Sequence, residues 1–226
     1  MPREGAAARR ERAAEIVRIL RRHYPGACTT LAYGSVHQLL VATILSQQNT
    51  DKGVNAVTPR LFRKYPTIEA FANADVDDLR ADIASINYGP TKARAIIESA
   101  LQILEQFGGE VPRTIGELVR LRGVGRKTAS VVLGAGYGIA EGVVVDTHVI
   151  RVSGRLGLTA HSDAARIERD LMKILPQRDW IDWTHMVILH GRAVCTARRP
   201  ACPACPLAAR CPAAFKFPHL ERGGGR

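Results

Sequence analysis

The chain has 226 residues and a formal net charge of +11 at pH 7, with 46% hydrophobic and 23% charged residues. This composition is typical of a soluble globular protein, and the length allows one large domain or two small ones. No apolar run reaches the roughly 18 residues of a membrane-spanning helix, and the basic N-terminus lacks the apolar core of a targeting peptide. The positive charge favours a polyanionic partner. Nucleic acid fits better than an anionic membrane, because no predicted helix has one basic face opposite large apolar residues.

The spacing of apolar residues predicts an almost entirely helical chain. The first predicted helix covers residues 7–24, where apolar positions recur at helical intervals. The next predicted helices are residues 38–48, 54–65, 75–86 and 91–107. The turn signals between them are Tyr65-Pro66, residues 87–90 and Gly108-Gly109. Asp75 and Thr91 are predicted to cap the N-termini of their helices.

A glycine-containing turn, residues 121–125, separates two further helical patterns. Gly123 and Gly125 allow a tight turn and the close approach of another backbone. The free amides at the start of the following helix favour an anion there. The turn therefore predicts a phosphate contact without sequence preference, although by itself such a turn can also simply connect two helices.

Lys127 opens the helix after this turn, and Asp146 follows nineteen residues later. The helix dipole disfavours a cation at this end, so Lys127 is expected either to bind a phosphate or to act as a Schiff-base nucleophile. The composition of residues 142–149 would allow a short strand, but the cap signal at Asp146 favours a loop that enters a helix. A capping carboxylate is held in place, as a catalytic one must be, so the two roles of Asp146 are compatible.

Four cysteines fall within a short C-x6-C-x2-C-x5-C segment: Cys195, Cys202, Cys205 and Cys211. Four thiolates at such spacing can hold zinc or an iron–sulfur cluster, and the single short C-x2-C hook with wider loops favours the cluster. Without a secretory signal, disulfides are not expected. The fifth cysteine, Cys28, is predicted to be a buried, inert thiol. Arg198 and Arg199, in the first of these loops, are expected to meet DNA phosphates, the alternative being an ordinary solvated loop.

From about residue 10 to residue 215 the chain resembles the bacterial endonuclease III family. The motifs that carry this resemblance are SQQNTD at 46–51, GVGRKTA at 123–129, VDTHV at 145–149, ILHGR at 188–192 and the cysteine segment. The resemblance implies an all-α fold of two helical domains with a DNA-binding cleft between them. The expected parts are a six-helix barrel over residues 29–140, a helix-hairpin-helix at about 112–137 within it, and a discontinuous iron–sulfur cluster domain of residues 1–28 and 141–226.

The same resemblance implies a bifunctional DNA glycosylase and AP lyase of base excision repair. Such an enzyme removes oxidised pyrimidines of the thymine glycol class and cleaves the abasic site by β-elimination. Lys127 would be the nucleophile, Asp146 its acidic partner, and the four cysteines the ligands of a [4Fe–4S] cluster. The expected partner is double-stranded DNA with a damaged base or an abasic site, bound by a monomeric, cytoplasmic, nucleoid-associated bacterial protein.

Two residues would enter the DNA stack when the target nucleotide leaves it. Gln48 matches the family's glutamine at this place, and Tyr88 stands where a leucine is common. A tyrosine can stack on exposed bases, so we expect a changed preference for the lesion or for the opposite base. Asn49 stands where an alanine is usual.

The hairpin would supply further DNA contacts, from Gly123, Gly125 and Arg126. Arg122 stands where the family usually has a proline. This exchange is expected to loosen the turn and to add a charge near the phosphates.

Three other functions remain open at the level of sequence. An adenine glycosylase of the same superfamily is disfavoured by Lys127 and by the missing recognition domain. A T·G or U·G mismatch glycosylase is harder to exclude, because it would differ mainly in its base pocket. A non-catalytic protein that binds damaged DNA would keep the hairpin and the cysteines but would cleave nothing.

Overall fold

The computed structural model describes residues 4–221, and within this range it contains helices and turns but no β-strand. The all-α fold class is therefore confirmed. The chain folds into two compact units. The hairpin unit is Thr29–Glu141, and the cysteine unit combines the described residues up to Cys28 with those from Gly142 onward.

The hairpin unit contains seven α-helices, the last of which continues as a π-helical turn. They are α2 (Val36–Ser46), α3 (Asp51–Lys64), α4 (Ile68–Ala72), α5 (Val76–Asp82), α6 (Gly89–Phe107), α7 (Ile115–Leu118), α8 (Arg126–Val131) and the π-helical turn Val132–Tyr137.

Helix α2 forms the centre of the hairpin unit. All residues from 39 to 45 are buried, so this helix is covered on every side, as expected for a helix that is apolar all round. Its N-terminus is fixed by Ser35, whose side chain accepts a hydrogen bond from the Gln38 amide at 3.2 Å. One apolar core, which extends from Leu31 to Leu133, packs around it.

Helix α6 begins earlier than the sequence predicts. Thr91 was expected to cap it, but the helix starts at Gly89 with Tyr88 as the N-cap residue. Pro90 lies in the first turn, where a missing N–H costs nothing, so the residues taken as a turn signal belong partly to the helix. Asp75 does cap α5, because its carboxylate accepts from the Asp77 and Asp78 amides.

The cysteine unit consists of longer helices followed by short turns. Its elements are α1 (Ala6–His23), α9 (Thr147–Arg155), α10 (Ala164–Ile174), α11 (Trp180–Ala193), the 3₁₀ turns Gln177–Asp179, Cys202–Ala204 and Ala208–Arg210, and α12 (Pro218–Glu221). The predicted helix over residues 7–24 thus matches α1 within one residue.

Ion pairs connect the two chain segments of the cysteine unit, and a glycine allows two helices of its second segment to pack closely. Arg21 of α1 binds the carboxylates of Asp179 and Asp182, each at 2.9 Å. Helices α9 and α11 approach so closely at Gly191 that a Cβ there would lie 2.7 Å from His148 Nδ1. Any side chain at position 191 would displace the His148 and Arg151 side chains of α9, which explains the glycine of the ILHGR motif.

Cys28 is exposed, so the prediction of a buried thiol was wrong. It follows the turn that ends α1, outside any periodic apolar face that would bury it. Among the described residues, no helix is both long and apolar enough to cross a membrane.

Candidate functional site

The turn of the helix-hairpin-helix is shaped by Gly123. Its φ is +77°, in the left-handed region that favours glycine, and a Cβ there would lie only 2.8 Å from the Ala95 Cβ on α6. Gly125 differs, because its φ is −90° and an added Cβ would meet nothing within 4 Å. Gly123 therefore docks the hairpin on α6, whereas Gly125 places no side chain over the start of α8.

Arg122 does more than add a charge. Its backbone N–H donates to Gln102 Oε1 at 2.8 Å, a bond that a proline could not make. Its guanidinium is 66% exposed and lies 3.5 Å from Glu98 Oε2. The loosening expected from the loss of proline is thus offset by a hydrogen bond from α6.

Lys127 and Asp146 belong to different units. Lys127 is exposed in the first turn of α8, next to the exposed Arg126. Asp146 is half-buried and caps α9, because its Oδ1 accepts from the Val149 amide at 2.8 Å. The predicted loop that enters a helix at Asp146 is confirmed, and the carboxylate is held in one orientation.

Gln48 and Tyr88 share an unusual backbone conformation. Both have positive φ, 56° and 61°, which few residues other than glycine adopt. Both side chains are exposed, Tyr88 by 61%. Strained residues persist only where surrounding contacts fix them, and such positions concentrate at functional sites.

Hydrogen bonds join the Gln48 loop (residues 47–50), the Tyr88 loop (residues 87–88) and the hairpin. Gln47 Nε2 donates to Gly123 O at 2.9 Å and lies 3.4 Å from Thr128 Oγ1. Asn87 Nδ2 donates to Gln48 O at 2.9 Å. The structure thereby brings Gln48, Tyr88 and Gly123 onto one connected part of the hairpin unit.

The buried Lys92 fixes the backbone that leads into the Gln48 loop. It is only 5% exposed, and its ammonium donates to the backbone oxygens of Leu45 and Gln47 at the end of α2. Burial lowers its pKa. Neither Gln47 nor Lys92 was predicted as a site residue, because their partners lie more than 40 residues away and only the fold brings them close.

All four predicted cysteine ligands line one cavity of the cysteine unit. The rest of its wall is mostly apolar and includes Val152, Leu207 and Phe217. Burial raises the pKa values of the Cys205 and Cys211 thiols, and the neighbouring cysteines raise them further. Within residues 4–221, no three His, Cys, Asp or Glu side chains form a ligand set for a single metal ion.

Arg155 and His190 make polar contacts to these thiols. Arg155 donates to Cys195 Sγ at 3.3 Å, and its backbone oxygen accepts from the Cys211 thiol at 3.3 Å. Its guanidinium also lies 4.8 Å from the centre of the Phe217 ring. Burial lowers the pKa of His190 to about 4, and this histidine lies 3.6 Å from Cys205 Sγ.

Arg198 and Arg199 are exposed in the loop between the first two cysteines. The loop is attached to α9, because Arg155 donates to the carbonyl oxygens of Thr196 and Ala197, each at 2.7 Å. The two arginines are therefore presented on an anchored backbone and are accessible to a phosphate.

A family model of DNA repair proteins and several individual proteins are similar in sequence to this chain. Residues 41–177 match the family model described as HhH-GPD superfamily base excision DNA repair protein. The chain is 51% identical to endonuclease III of Synechocystis sp., over 92% of this chain and 95% of that protein. It is 41% identical to endonuclease III of Haemophilus influenzae, over 84% of this chain and 90% of that protein.

A solved structure supports the same similarity in three dimensions. It is described as a trapped endonuclease III–DNA covalent intermediate, an estranged-adenine complex. It superposes with a TM-score of 0.85 at 39% identity and covers 92% of this chain and 97% of that chain.

Proposed function

We propose a function for this chain from the premise that it belongs to the endonuclease III family, within the HhH-GPD superfamily of base excision DNA repair proteins. It is a DNA glycosylase and AP lyase. The observation that carries this conclusion is the likeness to an endonuclease III that was trapped in covalent linkage to DNA. Its partner is DNA, and we infer that it acts on the bacterial chromosome as a monomer.

Lys127 is the proposed nucleophile. Its exposed side chain in the first turn of α8 is accessible to substrate. The neutral amine attacks C1′ of the target deoxyribose, the new N–C1′ bond replaces the bond to the base, and the departing base takes up a proton. The sugar ring then opens: the C1′–O4′ bond breaks, O4′ takes up a proton, and the lysine nitrogen and C1′ form a Schiff base. This Schiff base acidifies C2′, and loss of a C2′ proton with β-elimination breaks the C3′–O bond to the 3′ phosphate.

Asp146 is the proposed acid–base partner. The cap to the Val149 amide uses one carboxylate oxygen and fixes the direction of the other. A carboxylate held in this way stabilises positive charge on the sugar as the base leaves, and it carries protons to and from the amine. Because the cap and the catalytic role use the same fixed orientation, neither excludes the other.

The proposed DNA contacts divide into backbone contacts and inserted side chains. The amides after Gly123 and Gly125, together with Arg126, bind phosphates without reading sequence. Arg198 and Arg199 add a second basic contact from the cysteine unit. The inserted side chains are those of Gln48 and Tyr88, which replace stacking that is lost when the nucleotide is extruded.

The four cysteines fit a [4Fe–4S] cluster, which the family suggests. They line one cavity with largely apolar walls, and the Arg155 guanidinium beside Cys195 favours thiolate ligands there. A bound cluster supplies fixed crosslinks among short turns, so its proposed role is to shape the loop that carries Arg198 and Arg199. We further propose that the hairpin unit is the barrel domain, with seven α-helices where six were expected because the four-residue α7 is separate, and that the cysteine unit is the cluster domain.

The proposed substrates are oxidised pyrimidines of the thymine glycol class, and borohydride trapping tests this proposal together with the chemistry. With duplex DNA that contains thymine glycol, the wild-type protein is expected to form a covalent adduct that disappears in Lys127→Ala. Lys52→Ala is the matched control, because Lys52 is exposed at the second position of α3, as Lys127 is in α8.

Three results would contradict these assignments. The absence of a wild-type adduct on both thymine glycol and abasic DNA would indicate a non-catalytic damage-binding protein. Excision only from T·G or U·G pairs would indicate the mismatch enzyme. An adduct that survives in Lys127→Ala would assign the nucleophile to another lysine.

A further inference from the structure

Two hydrogen bonds, both donated by Asn87, connect the Tyr88 loop to the Gln48 loop. The backbone N–H of Asn87 donates to Asn49 Oδ1 at 3.0 Å. The side-chain Nδ2 of Asn87 donates to Gln48 O at 2.9 Å. We call this pair of bonds the Asn49–Asn87 clasp. It spans 38 and 39 residues of sequence, so nothing but the tertiary fold brings its halves together.

Each half of the clasp adjoins one of the two strained residues. Asn49 directly follows Gln48, and Asn87 directly precedes Tyr88. Because both Gln48 and Tyr88 have positive φ, each needs contacts from outside its own loop to stay in that conformation. The clasp supplies such contacts at the backbone next to both residues, and thus fixes the direction in which each side chain leaves the surface.

The carbonyl oxygens at the C-terminus of α2 would keep a hydrogen-bond donor without Asn49. Asn49 Nδ2 donates to the oxygens of Leu45 and Gln47, but the Lys92 ammonium donates to the same two oxygens. A lysine already caps these carbonyls, so the contribution that belongs to Asn49 alone is its bond to the other loop. An alanine at position 49 would lose that bond.

We propose that the Asn49–Asn87 clasp holds Gln48 and Tyr88 as one rigid pair, so that both side chains enter the duplex together when the target nucleotide leaves the stack. Asn49 and Asn87 are then positioning residues for base extrusion. This inference rests on the proposed function, because it takes Gln48 and Tyr88 as the inserted residues. Preorganisation of this kind accelerates a step without new contacts to the reacting atoms.

The first measurement is single-turnover excision of thymine glycol from duplex DNA. Asn49→Ala and Asn87→Ala are each expected to slow it about tenfold, as the loss of one net hydrogen bond implies. Asn49→Ala removes the acceptor of the Asn87 backbone N–H, and Asn87→Ala removes the Nδ2 donor to Gln48 O, so each variant keeps one bond of the clasp. Because the pair is rigid only with both bonds in place, the double variant should be no slower than the slower single variant. Strand cleavage at a preformed abasic site should change less than about twofold, since no base remains to be extruded.

The second measurement does not depend on catalysis. A duplex with a tetrahydrofuran abasic analogue opposite 2-aminopurine cannot form a Schiff base, and its fluorescence rises when the 2-aminopurine is unstacked. The wild-type protein is expected to raise this fluorescence, and both single variants to lose at least about half of the rise. Their Kd should stay within about twofold, because phosphate contacts dominate affinity.

Asn55→Ala is the matched control. Asn55 also bridges a helix and a loop in the hairpin unit with two hydrogen bonds, from the Ala32 amide at 2.9 Å and to Thr30 O at 2.7 Å. Its removal should leave both measurements unchanged. The clasp is refuted if Asn49→Ala and Asn87→Ala behave like Asn55→Ala, if their effects multiply in the double variant, or if cleavage at the abasic site falls equally. Failure of the proposed function would be distinguishable from these results. The wild-type protein would then excise no thymine glycol, whereas the fluorescence assay, which needs no catalysis, would still test the clasp.

Discussion

The loops of the hairpin unit and the cysteine segment, residues 195–217, keep irregular backbone in place by different means. The Gln48 and Tyr88 loops lie on a complete apolar core and are fixed to it by hydrogen bonds from Asn49, Asn87 and Lys92. The cysteine segment contains mainly three-residue turns that surround a cavity. Little of it is buried apart from Pro200, Cys202 and Leu207.

This difference shows where the folding energy of each region must come from. A loop on a packed core loses only its own hydrogen bonds when one contact is removed, about 1 kcal/mol each. A segment with little buried apolar area depends instead on crosslinks through the group that its cavity binds. Single substitutions should therefore change geometry in the first region and folding in the second.

The largest expected effect is in the cysteine segment. Cys205→Ser removes one proposed ligand, and loss of a metal centre is among the few changes that cost more than about 4 kcal/mol. We expect the melting temperature to fall by about 8–16 °C. The variant should also lose the brown colour of an iron–sulfur protein and its absorbance at about 400 nm. Calorimetry and absorption spectra measure both.

Cys28→Ser is the matched control for this loss, because it makes the same chemical change at an exposed thiol outside the cavity. It should alter stability by less than about 0.5 kcal/mol. Equal stability of the Cys205→Ser and Cys28→Ser proteins would show that the cavity contributes nothing to folding.

A smaller effect is expected at the hairpin. Gly123→Ala places a Cβ 2.8 Å from that of Ala95 at a left-handed backbone position, which should cost about 2–4 kcal/mol. Gly116→Ala makes the same substitution in α7, where nothing lies within 4 Å, and should stabilise the protein by about 0.5 kcal/mol. Chemical denaturation of the two variants measures both changes in the free energy of unfolding. Similar midpoints would mean that the hairpin does not dock on α6 through Gly123.

The smallest effect on stability, but a selective one on activity, is expected at Tyr88. Tyr88→Leu restores the residue common in the family at a side chain that is 61% exposed, so stability should change by less than about 0.5 kcal/mol. Excision rates opposite each of the four bases should shift relative to one another by about three- to tenfold, because stacking on the opposite base is lost. Tyr33→Leu, at an exposed tyrosine whose hydroxyl donates to Ala135 O, should leave these ratios unchanged. Unaltered ratios in Tyr88→Leu would remove the tyrosine from base recognition.

The hairpin shows which site features could be predicted from sequence. The sequence predicts a helix that opens with Lys127 after the glycine turn, but only Arg126–Val131 is α-helical and Val132–Tyr137 forms a π turn. That turn brings Gly136 against α2, where a Cβ would lie 3.0 Å from Val36 Cγ1. The local pattern predicted a helix, and packing against α2 decided its type.

The sequence by itself determined the all-α class, the approximate helix positions, the caps at Asp75 and Asp146, and the spacing of the four cysteines. These features depend on residues a few positions apart, whose hydrogen bonds and periodicity a single segment contains. Only the tertiary structure decided that Gln47 binds Gly123, that Lys92 caps α2, and that Asn49 and Asn87 join two loops. Those bonds connect residues 38 to 76 positions apart, and their energy depends on distances that the packing of α2 and α6 sets.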